Sequence, residues 1–151
     1  MQTATRPTGA HKRALMQQAL DRAQLPADAD VMTVLTEFGG FEIVMMVGAY
    51  LAAAEAGITI LGDGVIATSA LLAATCIEPD VRDYVVFCHK SAEAGHLVQL
   101  RALDAKPLLD IGMRLGEGTG AMVAYPLLCS ALAFMNQMAS FESAGVSQRV
   151  R

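Results

Sequence analysis

At 151 residues and a formal net charge of -4, the chain has the length of one modest domain and no basic stripe, which argues against nucleic acid or an anionic membrane surface as a partner. Hydrophobic residues make up 54% and charged residues 17%, so a disordered tail is excluded and some apolar surface is expected to meet another subunit. Cys76, Cys88 and Cys129 fall in apolar runs without CxxC pairing; neither a disulfide frame nor a structural zinc site is expected, and all three read as reduced and buried.

The N-terminal stretch MQTATRPTGAHKR has no apolar signal core. Leu15, Ala19, Leu20 and Ala23 then recur at helical spacing, which predicts a helix through AHKRALMQQALDRAQ opened at Thr8 or Gly9 and ended by LPADAD. Asp30 is placed to cap a short helix, VMTVLTEF, and Gly39-Gly40 separates it from a longer apolar helix from about Phe41 to Ala56, closed by Gly57. ITIL, Ile58 to Leu61, is short, β-branched and glycine-bounded, the signature of a buried parallel strand. It feeds into GDG, and a helix of small apolar residues follows from Val65 to about Cys76. After the connector EPDVRD comes a second strand, YVVFC, Tyr84 to Cys88, then the polar loop HKSAEAG and a helix from about His96 to Leu103. KPLLDIGMR reads as a connector into a glycine-rich turn, and a last helix runs from about Thr119 to Ser140.

Helix, strand, helix, strand is the grammar of an α/β fold, read here as a single domain built on a parallel sheet with flanking helices. Such sheets bind ligands at the carboxyl ends of their strands, so Gly62 to Gly64, His89 to Gly95 and Gly116 to Gly120 are the candidate site segments. Two strands are too few for a complete sheet of this kind. The best membrane candidates read as too short, since Ile43 to Ala54 is bounded by Glu42 and Glu55 and Gly120 to Met135 contains Pro126. A soluble, cytoplasmic protein without a membrane partner is expected.

In chain order, LTEFGGFEI, GITILGDGVIATSALLAA, VRDYVVFCHKSAEAGH and RLGEGTGAMVAYPLL resemble the C-terminal half of the nicotinate-nucleotide:dimethylbenzimidazole phosphoribosyltransferases, with the resemblance running from about residue 8 to 146. It implies a Rossmann-like α/β enzyme, usually a homodimer and without a cofactor, that moves phosphoribose from nicotinate mononucleotide to a benzimidazole base and so makes α-ribazole 5′-phosphate for the cobalamin lower ligand. The glutamate of the RLGEG motif, Glu117 here, corresponds to the family's catalytic base. A carboxylate beside a helix N-terminus is favoured in its charged form and suits that role. Lys12 corresponds to a phosphate-binding lysine, Ser91 to the mononucleotide-binding serine of the HxSAE loop, and Asp63, Gly64, Leu115, Gly116 and Gly118 to the remaining substrate contacts. The family's LDGF stretch is GDGV here and the serine before the loop histidine is Cys88.

The family's N-terminal half, with most of the benzimidazole pocket and a second glutamate, has no counterpart in this sequence. The resemblance therefore implies either a transferase completed by a chain carrying that half, or an inactive half-length homologue that binds a nucleotide or oligomerises. Read without the family, Glu117 is an ordinary first-turn glutamate, Arg13 competes with Lys12 for any phosphate, and Ser91 is a loop cap. Cys88, His89, Glu93 and His96 match no metal-ligand spacing, so no metal is expected. Met45, Met46, Met113, Met122, Met135 and Met138 read as core or subunit contacts.

Overall fold

In the computed structural model, residues 9–145 are described; Thr8, one of the two expected helix starts, lies outside them. The first helix, α1 (Gly9–Ala23), buries no residue and is tied to its neighbour by an ion pair between Arg22 and Glu37. Asp30 caps α2 (Val31–Phe38) as the sequence requires, its carboxylate accepting from Thr33 N at 3.0 Å and from the Thr33 hydroxyl at 2.6 Å. Helix α3 (Phe41–Glu55) ends where Gly57 enters the left-handed region at φ 68. There Ile58 N–H donates to Ala53 at 2.8 Å and Gly57 N–H to Ala54 at 2.9 Å, the paired bonds of a Schellman turn.

That turn moves the first strand. The sequence places it at Ile58–Leu61, but Ile58 is occupied in closing α3, and β1 is Ile60–Gly62. The second strand shifts for a similar reason: Pro79–Tyr84 forms a 3-10 helix rather than a plain connector, and β2 is Val85–Phe87. The strands run parallel with Ile60 opposite Val85 and Gly62 opposite Phe87. Between them lies α4 (Val65–Ile77); after β2 comes α5 (Ala94–Ala102), which starts two residues before the expected His96.

KPLLDIGMR is more than a connector. Leu108 N–H donates to Phe87 O at 2.9 Å, Leu109 N–H to Cys88 O at 3.1 Å, and Lys90 N–H to Leu109 O at 2.7 Å, so this segment lies alongside the end of β2 in a parallel bridge between His89 and Leu109. It carries no strand-like alternation, and the neighbouring backbone holds it there although it bends at Leu108. The final helix, α6, is Thr119–Gln137.

The core forms around α4, whose Ala70, Leu71 and Ala74 are fully buried between α3, α5 and the sheet, with Ile60, Phe87, Val81 and Leu100 closing around them. Small side chains on α4 let the other elements approach, and Leu71 contributes on the order of 1.5–3 kcal/mol by leaving water. The outer helices differ. Helix α6 buries only Gly120 and Ala124; Met122 and Met135 on it, Met138 just past its end and Met45 on α3 are exposed, so of the methionines read as core or subunit contacts Met46 is the one that packs against the core among the described residues. Cys88 is buried as expected, but Cys76 and Cys129 are exposed, because the last turn of α4 and the flank of α6 are uncovered. At 19 residues and mean hydropathy 1.3, α6 is long and apolar enough on composition to cross a membrane, beyond the 120–135 limit read from the sequence. Its first turns nonetheless belong to the fold, since Gly120 and Ala124 pack inward.

Candidate active site

At the carboxyl ends of β1 and β2 the three glycine-rich or polar segments meet around a cleft of about 430 Å³. That is within the range of small-molecule sites. The loop after β1 delivers Asp63 and Gly64, the loop after β2 delivers Ser91 and Glu93, and the turn before α6 delivers Arg114, Leu115, Gly116, Glu117 and Gly118; Tyr50 and Met46 of α3 close one side.

Three helices begin at this cleft, and none is capped by the side chain of its own N-cap residue. Gly64 precedes α4, Glu93 precedes α5 without capping it through its side chain, and Gly118 precedes α6. Uncapped N–H groups at helix starts attract anions, and Val65, Ile66 and Ala67, the first residues of α4, line the cleft. The one cation among the described lining residues is Arg114, whose planar fork suits a phosphate.

Glu117 stands at the cleft in the left-handed region, φ 66, followed by Gly118 at φ 79. The turn is held by Thr119, whose hydroxyl donates to Gly116 O at 2.8 Å, and by Asp63, which accepts from Gly118 N–H at 3.1 Å and Ala121 N–H at 3.2 Å. Across the cleft Ser91 Oγ accepts from Glu93 N–H at 3.2 Å, the loop-cap role, and keeps its own proton to donate. Ser91 N–H donates to His96 Nδ1 at 2.9 Å; that assigns the ring proton to Nε2, which donates to Thr68 Oγ1 at 2.9 Å. Burial first, and then the nearby His89, pushes His96 below its ordinary value, so it is a neutral support for the loop. Burial and the Asp63 charge push the Cys88 thiol up to about 11, which fits a core residue and not a nucleophile.

Of the residues singled out in the sequence, Asp63, Gly64, Ser91, Leu115, Gly116, Glu117 and Gly118 all line the cleft. Lys12 does not: it lies on α1, exposed, on a helix that buries nothing. Sequence reasoning missed Arg114 and Tyr50, and met Glu93 only as part of the His89 to Gly95 segment and as a rejected metal ligand. Arg114 opens the quoted RLGEG motif and was legible as a cation beside the glycine turn, whereas Tyr50 sits unmarked in an apolar helix. Among the described residues no three His, Cys, Asp or Glu side chains gather where they could hold a metal ion.

A family profile described as phosphoribosyltransferase matches residues 3–146. The nicotinate-nucleotide–dimethylbenzimidazole phosphoribosyltransferase of Dechloromonas aromatica is 59% identical over 141 residues, covering 93% of this chain and 40% of its own length. The protein of the same name from Vibrio vulnificus is 53% identical over 137 residues, covering 91% and 39%. The crystal structure of the corresponding transferase from Thermus thermophilus superimposes with a TM-score of 0.84 at 42% identity, over 92% of this chain and 41% of that one. The chain thus spans about 40% of the length of the curated relatives it matches.

Proposed function

Because the chain belongs to the nicotinate-nucleotide:dimethylbenzimidazole phosphoribosyltransferase family, represented here by its C-terminal part, we propose that it provides the mononucleotide side and the base of a site that transfers phosphoribose from nicotinate mononucleotide to a benzimidazole. The observation that carries this reading is the meeting of the open α4 N-terminus and Arg114 at one cleft whose rim bears Glu117. Phosphate is held by Arg114 and the α4 N–H groups, and a ribose hydroxyl by Ser91. Glu117 accepts the proton from one nitrogen of the benzimidazole while the other attacks the anomeric carbon. The bond from that carbon to nicotinate breaks and its electron pair stays on the departing ring nitrogen, so no acid is needed. Attack makes the benzimidazole cationic, so the carboxylate stabilises the transition state more than the ground state.

Lys12 stays outside this cleft, and Arg114 takes its place as the phosphate cation in this reading. The exposed apolar flank of α6 is the surface that a second copy, or a chain carrying the rest of the family fold, would cover; the reaction's setting is the cytoplasm. The test is formation of α-ribazole 5′-phosphate from nicotinate mononucleotide and dimethylbenzimidazole, by the chain alone and with the remaining family portion supplied, with Glu117→Gln as control. Product that disappears in Glu117→Gln supports the reading. Folded protein that makes none under either condition overturns it and favours a nucleotide-binding or oligomerising homologue.

A further inference from the structure

We propose that Asp63 is a positioning residue: its carboxylate, backed by His89, holds the turn that presents Glu117 to the cleft. The proposal rests on the reading of Glu117 as the base, and it departs from the expectation that Asp63 binds substrate.

Asp63 leaves the end of β1 and reaches a turn more than fifty residues away in the chain. Its two oxygens are divided between two backbone donors, Gly118 N–H on Oδ2 at 3.1 Å and Ala121 N–H on Oδ1 at 3.2 Å. Gly118 is the cap position of α6 and has no side chain to cap with, so Asp63 supplies the missing acceptor from another element. The peptide bond it grips is the one that follows Glu117, whose φ of 66 is a conformation that L residues rarely adopt and that the surroundings must enforce.

His89 forms the back of this device. It is 1% exposed, its Nε2 lies 3.5 Å from Asp63 Oδ1, and neither ring nitrogen has a hydrogen-bond partner among the described residues. A buried imidazole without a partner calls for an explanation, and the acceptor it faces is Asp63. Gly120 makes room for both: a Cβ there would stand 2.6 Å from Asp63 Oδ1 and from His89 Nε2 and would overlap the ring. Glycine at 120 thus lets the first turn of α6 sit directly on the Asp63–His89 pair. With both oxygens turned to protein N–H groups, Asp63 acts on the reaction through the Glu117 turn and not by contact with the ligand.

Asp63→Asn tests this, because the amide keeps the shape but replaces one acceptor with a donor. Two readouts are needed. The first is amide hydrogen exchange at Gly118 and Ala121, which requires no turnover: at least one of the two should exchange about tenfold faster or more in Asp63→Asn, with the Leu71 amide in the core unchanged. The second is steady-state kinetics on the chain with the remaining family portion supplied: kcat should fall by about a hundredfold, as small misplacements of a catalytic group do, with KM for nicotinate mononucleotide nearly unchanged. Unchanged exchange at Gly118 and Ala121 overturns the proposal whatever the kinetics. So does faster exchange with kcat intact, or with the loss confined to KM. If the wild-type protein makes no product, the transferase reading fails separately, and exchange still decides whether Asp63 holds the turn. Should Asp63→Asn not fold, His89→Gln leaves the carboxylate in place and should give the same two changes at smaller size; no change in either would overturn the proposal.

Discussion

Replacing Glu117 with glycine should make the folded chain more stable while abolishing any transfer activity. At φ 66 an L residue sits roughly 1–2 kcal/mol above the right-handed basin, and glycine removes that penalty. Glycine also adds freedom to the unfolded chain, which takes back about 0.5–1 kcal/mol. The Glu117 side chain is exposed and makes no hydrogen bond or ion pair among the described residues, so little else is lost. The net expectation is a gain of about 0–1.5 kcal/mol, read as a higher urea midpoint at unchanged slope and a melting temperature raised by up to roughly 6 °C. Glu117→Ala keeps the unfavourable backbone and should show no such gain. Gly118→Ala, at φ 79, should lose about 1–2 kcal/mol. A Glu117→Gly protein that is less stable than the wild type by about 1 kcal/mol or more would refute the reasoning, since that exceeds the entropic cost of glycine alone. It would mean that the glutamate is held by contacts and serves the fold, which is the bland reading of a glutamate at a helix start.

Three further outcomes are expected. Gly120→Ala drives a Cβ into the His89 ring and should cost about 1–3 kcal/mol, measured by urea unfolding; a neutral result would show that the ring moves aside freely. Burial lowers His96 below 6.5, so the unfolded chain binds more protons just under that pH; the His96 contribution is complete above about 6.5 and is lost as pH falls below it. Urea midpoints should therefore drop from about pH 7.5 to about pH 5.5, less steeply in His96→Asn, and an identical drop in both proteins would count against a neutral buried His96. In native protein at about pH 8, iodoacetamide should label Cys76 and Cys129 well before Cys88, whose thiol at about 11 against a usual 9.0 leaves about a hundredfold less thiolate; equal labelling rates would contradict its burial.

The sequence by itself determined what depends on neighbours along the chain. The Asp30 cap, the Gly57 stop, the parallel strands and the glycine turn before α6 are short-range matters of dihedral preference, capping and hydrophobic period, and these were legible, with strand ends displaced by one or two residues where a Schellman turn or a 3-10 helix claimed them. The quoted motifs carried the family and named Glu117. What only the tertiary structure decided depends on groups far apart in sequence. That Arg114 and not Lys12 lines the cleft follows from how α1 and the turn before α6 sit on the fold, which no spacing along the chain encodes. The bridging of residues 108–109 to the end of β2 exists because its backbone offers hydrogen bonds, not because their own side chains prefer it. Asp63 looks the same in sequence whether it faces a ligand or a peptide N–H; only packing, which brings the end of β1 under the start of α6, fixes its oxygens on Gly118 and Ala121.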